Sequence, residues 1–378
     1  MFITSGRIRR DREDGGGEAM AQTMRATGGR VVALLSLMML SMLGVGLSRA
    51  AEMPGSAPRP LQVPTCDAGN PSSCFAKMGA LTVLHLRRDF YVIIGDGENI
   101  GVQVGQEGAV VVNAGTKAGA ASLLGIVKPL SPQGIRLVID TNADAETVGG
   151  NAALAAPRAA QGGTGIAPAF FGRAPAADIV ANQNVLQRMS QATGVTAYPF
   201  AALPNDPFPM ELNPYSVFVN GEPIIIFDQP AASSDADSFV LFRHTDVVMA
   251  GDVMDMTRFP VIDLAHGGSI DGEIAALTKL QQLTIDPPSP YYDEGTRAIP
   301  AHGRVCDEDD VDDYRDMVVI IRDTVAYMMK QHLSLAQIEA QHPAGAYEPL
   351  YGATTGPWTT NMFIEAIYKS LRAEKKLL

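Results

Sequence analysis

The sequence predicts an α+β fold in which two β-sheets pack together and helices cover their outer faces. Short apolar runs separated by Gly-rich turns occupy residues 81–112. A second strand-rich stretch, residues 215–249, contains the tight-hairpin signal Asn220-Gly221. Helix-like patterns follow both stretches. Sheets and helices of this kind bury their apolar faces only by stacking in layers, so the repeated order predicts a layered sandwich.

The first half begins with four predicted strands. They are residues 81–87, 90–94, 100–104 and 109–112. Glycines at 95–97 and 105–108 separate them, which is typical of an antiparallel meander. Further along the half we expect a helix at 118–130, a buried strand at 136–140, a loop at 141–151, a short Ala-rich helix, an irregular stretch at 161–177 and a helix at 178–191.

The second half repeats this style. Its predicted strands are residues 215–219, 223–227, 238–243 and 246–249. A helix is predicted at 269–283, because Ile270, Ile274, Leu277 and Leu280 follow the helical period. A last strand is expected at 297–300, and from residue 309 onward the pattern is helical, ending in a helix at 358–371.

The N-terminus predicts export. Arg25 and Arg30 precede an apolar run at 31–47, and small residues follow at 48–51. This is the layout of a secretory signal peptide. We therefore expect residues 1–50 to be a signal peptide or, if uncleaved, an N-terminal membrane anchor. The protein would then be periplasmic or secreted, with a membrane contact only if the leader is kept.

Charge and cysteine content narrow the partners further. The net charge of -12 argues against nucleic acid as a partner, since phosphate backbones need clustered Lys and Arg. Residues 51–79 are predicted to form a linker. In an oxidising compartment, Cys66 and Cys74 are close enough in sequence to pair within it. Cys306 is left over, and we interpret it as a small buried apolar residue.

Three segments carry a resemblance to a known family. Residues 99–151, which include Gly149-Gly150-Asn151, resemble the first half of the metallo-β-lactamase superfamily in order and spacing. Residues 246–252 resemble its later strand, and 299–303 resemble its proline-histidine-glycine motif. The resemblance covers about 80–305. It implies a four-layer αβ/βα sandwich, the metallo-β-lactamase fold, with a C-terminal helical extension at 306–378.

The metal-binding motif of that family is degenerate in this sequence. Family enzymes bind one or two zinc ions through a His-x-His-x-Asp-His loop. The four corresponding positions here are Asn142, Asp144, Glu146 and Thr147. A later histidine ligand of the family falls on Ser233. A family aspartate at the end of an earlier strand is replaced as well, by Asn113.

The resemblance still implies a reduced metal site. Asp144, Glu146, Asp252 and His302 are its candidate ligands, and Glu146 and Asp252 are its candidate catalytic residues. Loss of the imidazoles argues against a dinuclear zinc centre. It leaves room for one divalent metal ion, which could be zinc, iron or manganese. Taken without the resemblance, Asp144 and Glu146 are better explained as a solvated acidic loop.

Two functions follow from these residues. The first is a hydrolase of the metallo-β-lactamase superfamily, in which water attacks an ester, amide or thioester of a small-molecule substrate at the reduced metal site. The second is a non-catalytic protein of the same fold that binds a ligand or partner in the periplasm. The replacements at Asn142, Thr147 and Ser233 motivate the second hypothesis.

Overall fold

The structure is a computed structural model, and it describes residues 71–157, 176–286 and 295–377. All of them belong to one compact unit, Arg59–Leu378. The predicted leader, most of the predicted linker with Cys66, and nearly all of the 161–177 stretch lie outside the described residues. A separate unit, Met1–Pro58, lies outside them too.

The first sheet has eight strands paired in chain order. They are β1 Phe75–Met78, β2 Leu81–Arg87, β3 Phe90–Ile94, β4 Ile100–Gln103, β5 Ala109–Val112, β6 Ile135–Asp140, β7 Asp178–Asn182 and β8 Asp206–Phe208. The strands from β1 to β5 pair antiparallel as a meander, and those from β5 to β8 pair parallel. The carboxyl ends of the parallel strands therefore meet at one edge of the sheet.

The second sheet has five strands. They are β9 Tyr215–Val219, β10 Glu222–Gln229, β11 Asp237–Phe242, β12 Val247–Asp255 and β13 Arg297–His302. The β9–β10 turn is Asn220-Gly221, and both residues have positive φ, as a type I′ hairpin requires. β12 and β13 run parallel, so their carboxyl ends also lie together.

Helices cover the outer face of each sheet. They are α1 Ala120–Leu130, α2 Ala145–Val148, α3 Asn151–Leu154, α4 Gln183–Gln191, α5 Ile270–Leu283, α6 Glu308–Lys330, α7 Leu335–Glu339, α8 Glu348–Tyr351 and α9 Thr360–Leu377. Asp307 begins α6 with a capping box, as expected for acidic residues at a helix start. Within the described ranges, no helix is long and apolar enough to cross a bilayer.

Three of the apolar cores in the described residues separate four layers. Between the sheets, Phe90 of β3 meets Phe242 of β11 edge-to-face at 4.9 Å between ring centroids. Outside the first sheet, Leu123 of α1 packs in a core with its strands. Outside the second, buried side chains of α5, α6 and α9 share one core with β11 and β12. The layer order confirms the predicted αβ/βα sandwich.

Several elements differ from the sequence prediction. The helix predicted at 178–191 begins later, because residues 178–182 form β7, buried between β6 and β8, where tertiary pairing overrides the helical pattern. The strand predicted to end at Met249 continues as β12 to Asp255 through a register shift around Gly251. The short edge strand β1 and a preceding 3-10 turn lie in the segment predicted as linker.

Gly149 and Gly150 bring the α2–α3 turn against the loop that follows β5. A Cβ on Gly150 would lie 2.1 Å from the carbonyl oxygen of Ala114. A Cβ on Gly149 would lie 2.5 Å from the backbone nitrogen of Lys117. Neither glycine has positive φ, so close approach of two backbone segments explains both residues.

We expect Gly150→Ala to destabilise the protein by about 2 kcal/mol or more, because the new methyl group collides with backbone that cannot yield. Gly125→Ala is the matched control. Gly125 lies in the middle of α1 with open space at its Cβ, so alanine there should stabilise the protein by about 1 kcal/mol. Urea unfolding followed by circular dichroism measures both. Equal effects of the two variants would contradict this account of the turn.

Candidate functional site

The candidate site forms where four chain segments meet at the strand ends. The loop after β6 supplies Asn142 to Thr147, and the end of β12 supplies Asp252. The end of β13 supplies His302, and the β3–β4 loop supplies Glu98. Ligand sites of α/β sheets are commonly built outside the carboxyl ends of strands in this way.

Glu98 is the centre of the polar network. Its side chain is fully buried. One carboxylate oxygen, Oε2, accepts a hydrogen bond from Asn113 Nδ2 at 2.9 Å. The other, Oε1, accepts from Asn142 Nδ2 at 3.1 Å and from the Thr147 hydroxyl. Three donors thus point at one buried carboxylate and stabilise its charged form.

The orientation of both asparagine amides is fixed by their other contacts. The Oδ1 of Asn142 accepts from the backbone N–H of Asp144 at 2.8 Å. The Oδ1 of Asn113 accepts from the backbone N–H of Thr141 at 3.1 Å. A backbone N–H can only donate, so in each case the side-chain NH₂ must be the group that faces Glu98.

Asn142 also joins Glu98 to Asp252. Its Nδ2 lies 2.9 Å from Asp252 Oδ2, slightly closer than to Glu98 Oε1 at 3.1 Å. Asp252 follows Gly251, whose φ of 53° lies in the left-handed region and marks the register shift in β12. The negative charge of Asp144 lies close enough to contribute to the raised pKa of Asp252, after burial and the charge of Glu98.

Glu146 and His302 form the half-buried part of the site. Glu146 Oε1 lies 3.7 Å from His302 Nε2. This interaction raises the pKa of His302 and lowers the pKa of Glu146. The β13 end that carries His302 is held by Asn99, whose Nδ2 donates to the carbonyls of Pro300 and Gly303 at 3.0 and 3.1 Å.

Two buried acids of the site, Glu98 and Asp252, have raised pKa values. Burial raises the pKa of Glu98 to about 7, against the opposing hydrogen bonds from Thr147 and Asn142. Burial also raises the pKa of Asp252, and the negative charge of Glu98 adds to the shift. The guanidinium of Arg258 donates a hydrogen bond to Asp255 at 2.6 Å, and it also interacts electrostatically with Asp252.

The donors at this site do not fit a metal ion. The amide nitrogen of Asn142 stands between two carboxylates, where it supplies hydrogens and no lone pair. Among residues 71–157, 176–286 and 295–377, no three His, Cys, Asp or Glu side chains gather as a metal-binding group.

The remaining predicted residues are placed as follows. Ser233 is buried in the β10–β11 loop, where its carbonyl accepts from the N–H of Asp263 at 2.8 Å. Within the described ranges no hydrogen bond links its hydroxyl to Glu98, Asn142 or Asp252. Cys74 is disulfide-bonded, and its pairing with Cys66 stays a prediction because Cys66 is outside the described residues. Cys306 is a free, buried thiol.

A cleft of about 430 Å³, which we call the strand-end cleft, opens beside Asp144. Its wall includes Arg188, Tyr198, Asp263 and His266. Arg188 pairs with Asp235 across the β10–β11 loop and lowers the pKa of Asp144 electrostatically, against the larger effect of burial. Both signs of charge therefore line this opening, which lies within the size range of small-molecule sites.

Sequence reasoning missed Glu98. The sequence pattern indicates only a turn at 95–97, and Gly97 does have the expected positive φ of 73°. A Cβ on Gly97 would lie 2.6 Å from Glu146 Cβ, so the turn is also pressed against the site. The available signal is a charged residue two positions before the buried strand β4. It is easily missed because no periodicity shows which loop a strand end will meet.

Comparison with solved structures supports the fold. The stereoselective inverting sec-alkylsulfatase Pisa1 from Pseudomonas sp. matches with a TM-score of 0.53 at 13% identity, over 76% of this chain and 49% of its own. A metallo-β-lactamase from Pontibacter korlensis matches with a TM-score of 0.44 at 14% identity, over 65% of this chain and 97% of its own. This chain thus spans about half the length of the alkylsulfatase. No protein-family model and no curated protein matches the sequence.

Asn142→Asp tests the bridging amide. The variant replaces a donor shared by two carboxylates with a third carboxylate, and we expect a loss of roughly 3 kcal/mol at pH 8.5. The pKa of Glu98, about 7, lies above that of an unfolded glutamate, so the folded state holds a proton that unfolding releases. The free energy of unfolding should therefore fall as the pH rises toward the pKa of Glu98. The loss caused by Asn142→Asp should be smaller at pH 5.5 than at pH 8.5.

The control for this variant is Asn205→Asp. Asn205 Oδ1 accepts from the backbone N–H of Ile179 at 2.7 Å, and an aspartate keeps that acceptor. Urea unfolding at both pH values should show little pH-dependent loss for the control. A pH-independent loss for Asn142→Asp would rule out repulsion between carboxylates as its cause.

Glu146→Gln tests the ion pair between Glu146 and His302. Removing the carboxylate should lower the pKa of His302 toward its usual value of about 6.5, because the contact that raises it is lost. NMR titration of the His302 ring proton measures the change. Glu211→Gln, at an exposed carboxylate after β8, should leave the titration unaltered. An unshifted His302 in Glu146→Gln would show that other charges hold the imidazolium.

Proposed function

We propose that this protein, which has the metallo-β-lactamase fold, binds a small-molecule ligand at its strand-end cleft without metal-dependent catalysis. The observation that carries the proposal is the position of the Asn142 amide between Glu98 and Asp252. An N–H donor there makes the network complete without a cation. This network is what supports the non-catalytic hypothesis drawn from the sequence, and the experiments below distinguish it from the hydrolase hypothesis.

The cleft offers groups that suit a polar ligand. Asp144 lines this cleft, while Glu98 is fully buried and cannot touch a ligand. Arg188 and Tyr198 add a cation and a hydroxyl to the wall beside Asp144. A ligand with both donor and acceptor groups would find partners for each, which is how small polar molecules are oriented in protein sites.

We further propose that the protein works outside the cytoplasm. The support is the N-terminal sequence alone, with its basic flank, apolar run and small residues at 48–51. N-terminal sequencing of protein recovered from the cell envelope tests this. A new N-terminus close to residue 51 supports export with cleavage, a retained leader in the membrane supports an anchor, and cytoplasmic protein with an intact leader contradicts the proposal.

The test of metal-independent function uses the purified full chain. The protein is incubated with zinc, iron(II) or manganese, passed through a desalting column and analysed for bound metal. Turnover of nitrocefin, a lactone and a thioester is then measured. We expect no stoichiometric metal and no turnover above that of His302→Ala. His332→Ala, at an exposed histidine outside the site, is the control for that variant.

The ligand half of the proposal is tested by thermal shift with amino acids, dicarboxylates and polyamines. Stabilisation by an amino acid or a polyamine should disappear in Asp144→Asn, because the variant removes a carboxylate that would bind an ammonium group, whereas stabilisation by a dicarboxylate should not be weakened. One bound metal per chain, with hydrolysis that needs both the metal and His302, would overturn the proposal. That outcome would instead support the hydrolase with one divalent ion predicted from the sequence.

A further inference from the structure

A second cavity, of about 530 Å³, lies beside α2. We call it the α1–α3 cavity. Its walls come from α1, α2, α3 and the segment 195–202. Thr196 and Tyr198 line both this cavity and the cleft beside Asp144, so the two spaces adjoin along one wall. The volume is within the range of small-molecule pockets.

The walls of the α1–α3 cavity are built mainly from small apolar residues. Ala120 and Ala152 lie on the helices, and Ala145 and Gly149 lie in and after α2. Side chains of this size leave the space between the helices open. The close approach of Gly149 to the backbone of Lys117 fixes the edge of the cavity, because a Cβ there would collide with that backbone. An apolar ligand could bury its surface against these walls.

Two polar groups at the α1–α3 cavity have neither an ion pair nor a hydrogen bond with the described residues. Lys117 is exposed at its edge, and no ion pair to its ammonium group exists within residues 71–157, 176–286 and 295–377. Tyr198 is half-buried in the shared wall, and its hydroxyl has no hydrogen-bond partner in those ranges. One cation and one hydroxyl beside an apolar surface are the groups that orient a ligand with a single charged end.

We propose that the α1–α3 cavity binds an amphiphilic organic anion. Its apolar part would lie against the alanine walls, and its carboxylate or another anionic end would contact the Lys117 ammonium group. The overall charge of -12 gives the protein no general attraction for anions, so selectivity for an anionic end would have to come from Lys117. This site is separate from the strand-end cleft and does not depend on the function proposed for it.

The probe is decanoate, titrated into the full-length protein by isothermal calorimetry below its micelle concentration. Decanol and decyltrimethylammonium, with the same chain and no charge or the opposite charge, are the ligand controls. We expect one decanoate per chain. Lys117→Met should weaken decanoate binding about tenfold, the effect of one charge-assisted contact, and should leave decanol binding unchanged. Octyl sulfate in place of decanoate tells whether the cavity distinguishes carboxylate from sulfate.

Matched variants make the result specific. Lys128→Met removes an exposed lysine from the same helix region, outside the cavity, and should bind decanoate like the wild type. Lys117→Glu should prefer decyltrimethylammonium over decanoate. Ala152→Phe should fill the cavity and abolish binding of every probe, and circular dichroism shows whether it has folded.

Three results would overturn the proposal. The first is binding of decanoate that Lys117→Met and Lys117→Glu leave unchanged. The second is equal affinity for the anionic and cationic probes in the wild type. The third is no binding, or binding of many molecules per chain without saturation. None of these results bears on the metal content of the strand-end cleft, so failure here is distinguishable from failure of the proposed function.

Discussion

The candidate site depends on one constraint. The buried Glu98 carboxylate must accept three hydrogen bonds. Asn113, Asn142 and Thr147 all donate hydrogen bonds to it, and two of these residues stand in the loop that follows β6. A metal centre is a cation surrounded by lone pairs. This site has the opposite polarity, since an anion is surrounded by N–H and O–H groups. The replaced residues therefore form one consistent network.

The fold makes that network possible by bringing distant loops to the same edge. Glu98 lies between β3 and β4 of the first sheet, and Asp252 lies in β12 of the second. Asn142 connects them because β6 ends between the two sheets, where the N–H of Ser238 donates to the carbonyl of Thr141 at 2.8 Å. The β13 end is tied to the same place through Asn99. A buried charge needs such a fixed set of partners, since an unpaired one is costly.

The two cavities extend this arrangement outward in different directions. Thr196 and Tyr198 form the wall that the two cavities share, and consecutive residues at the start of α2 line one cavity each: Asp144 lines the cleft, and Ala145 lines the α1–α3 cavity. Gly149 and Gly150 let that short helix and its turn pack directly on backbone. The α2–α3 turn therefore packs closely against the loop that follows β5. This close packing fixes both the position of the candidate site and the shape of the neighbouring cavity.

The sequence by itself determined the layered α+β fold, most strand positions and the loss of imidazoles at Asn142, Thr147 and Ser233, because periodicity, turn residues and residue identity are local properties. Only the tertiary structure decided that 178–182 is a strand, that Glu98 is the partner of Asn142, and that Ser233 is not joined to them. Those facts depend on which strand ends meet. Burial and amide orientation arise from contacts between residues that are far apart in the chain, and no local pattern encodes them.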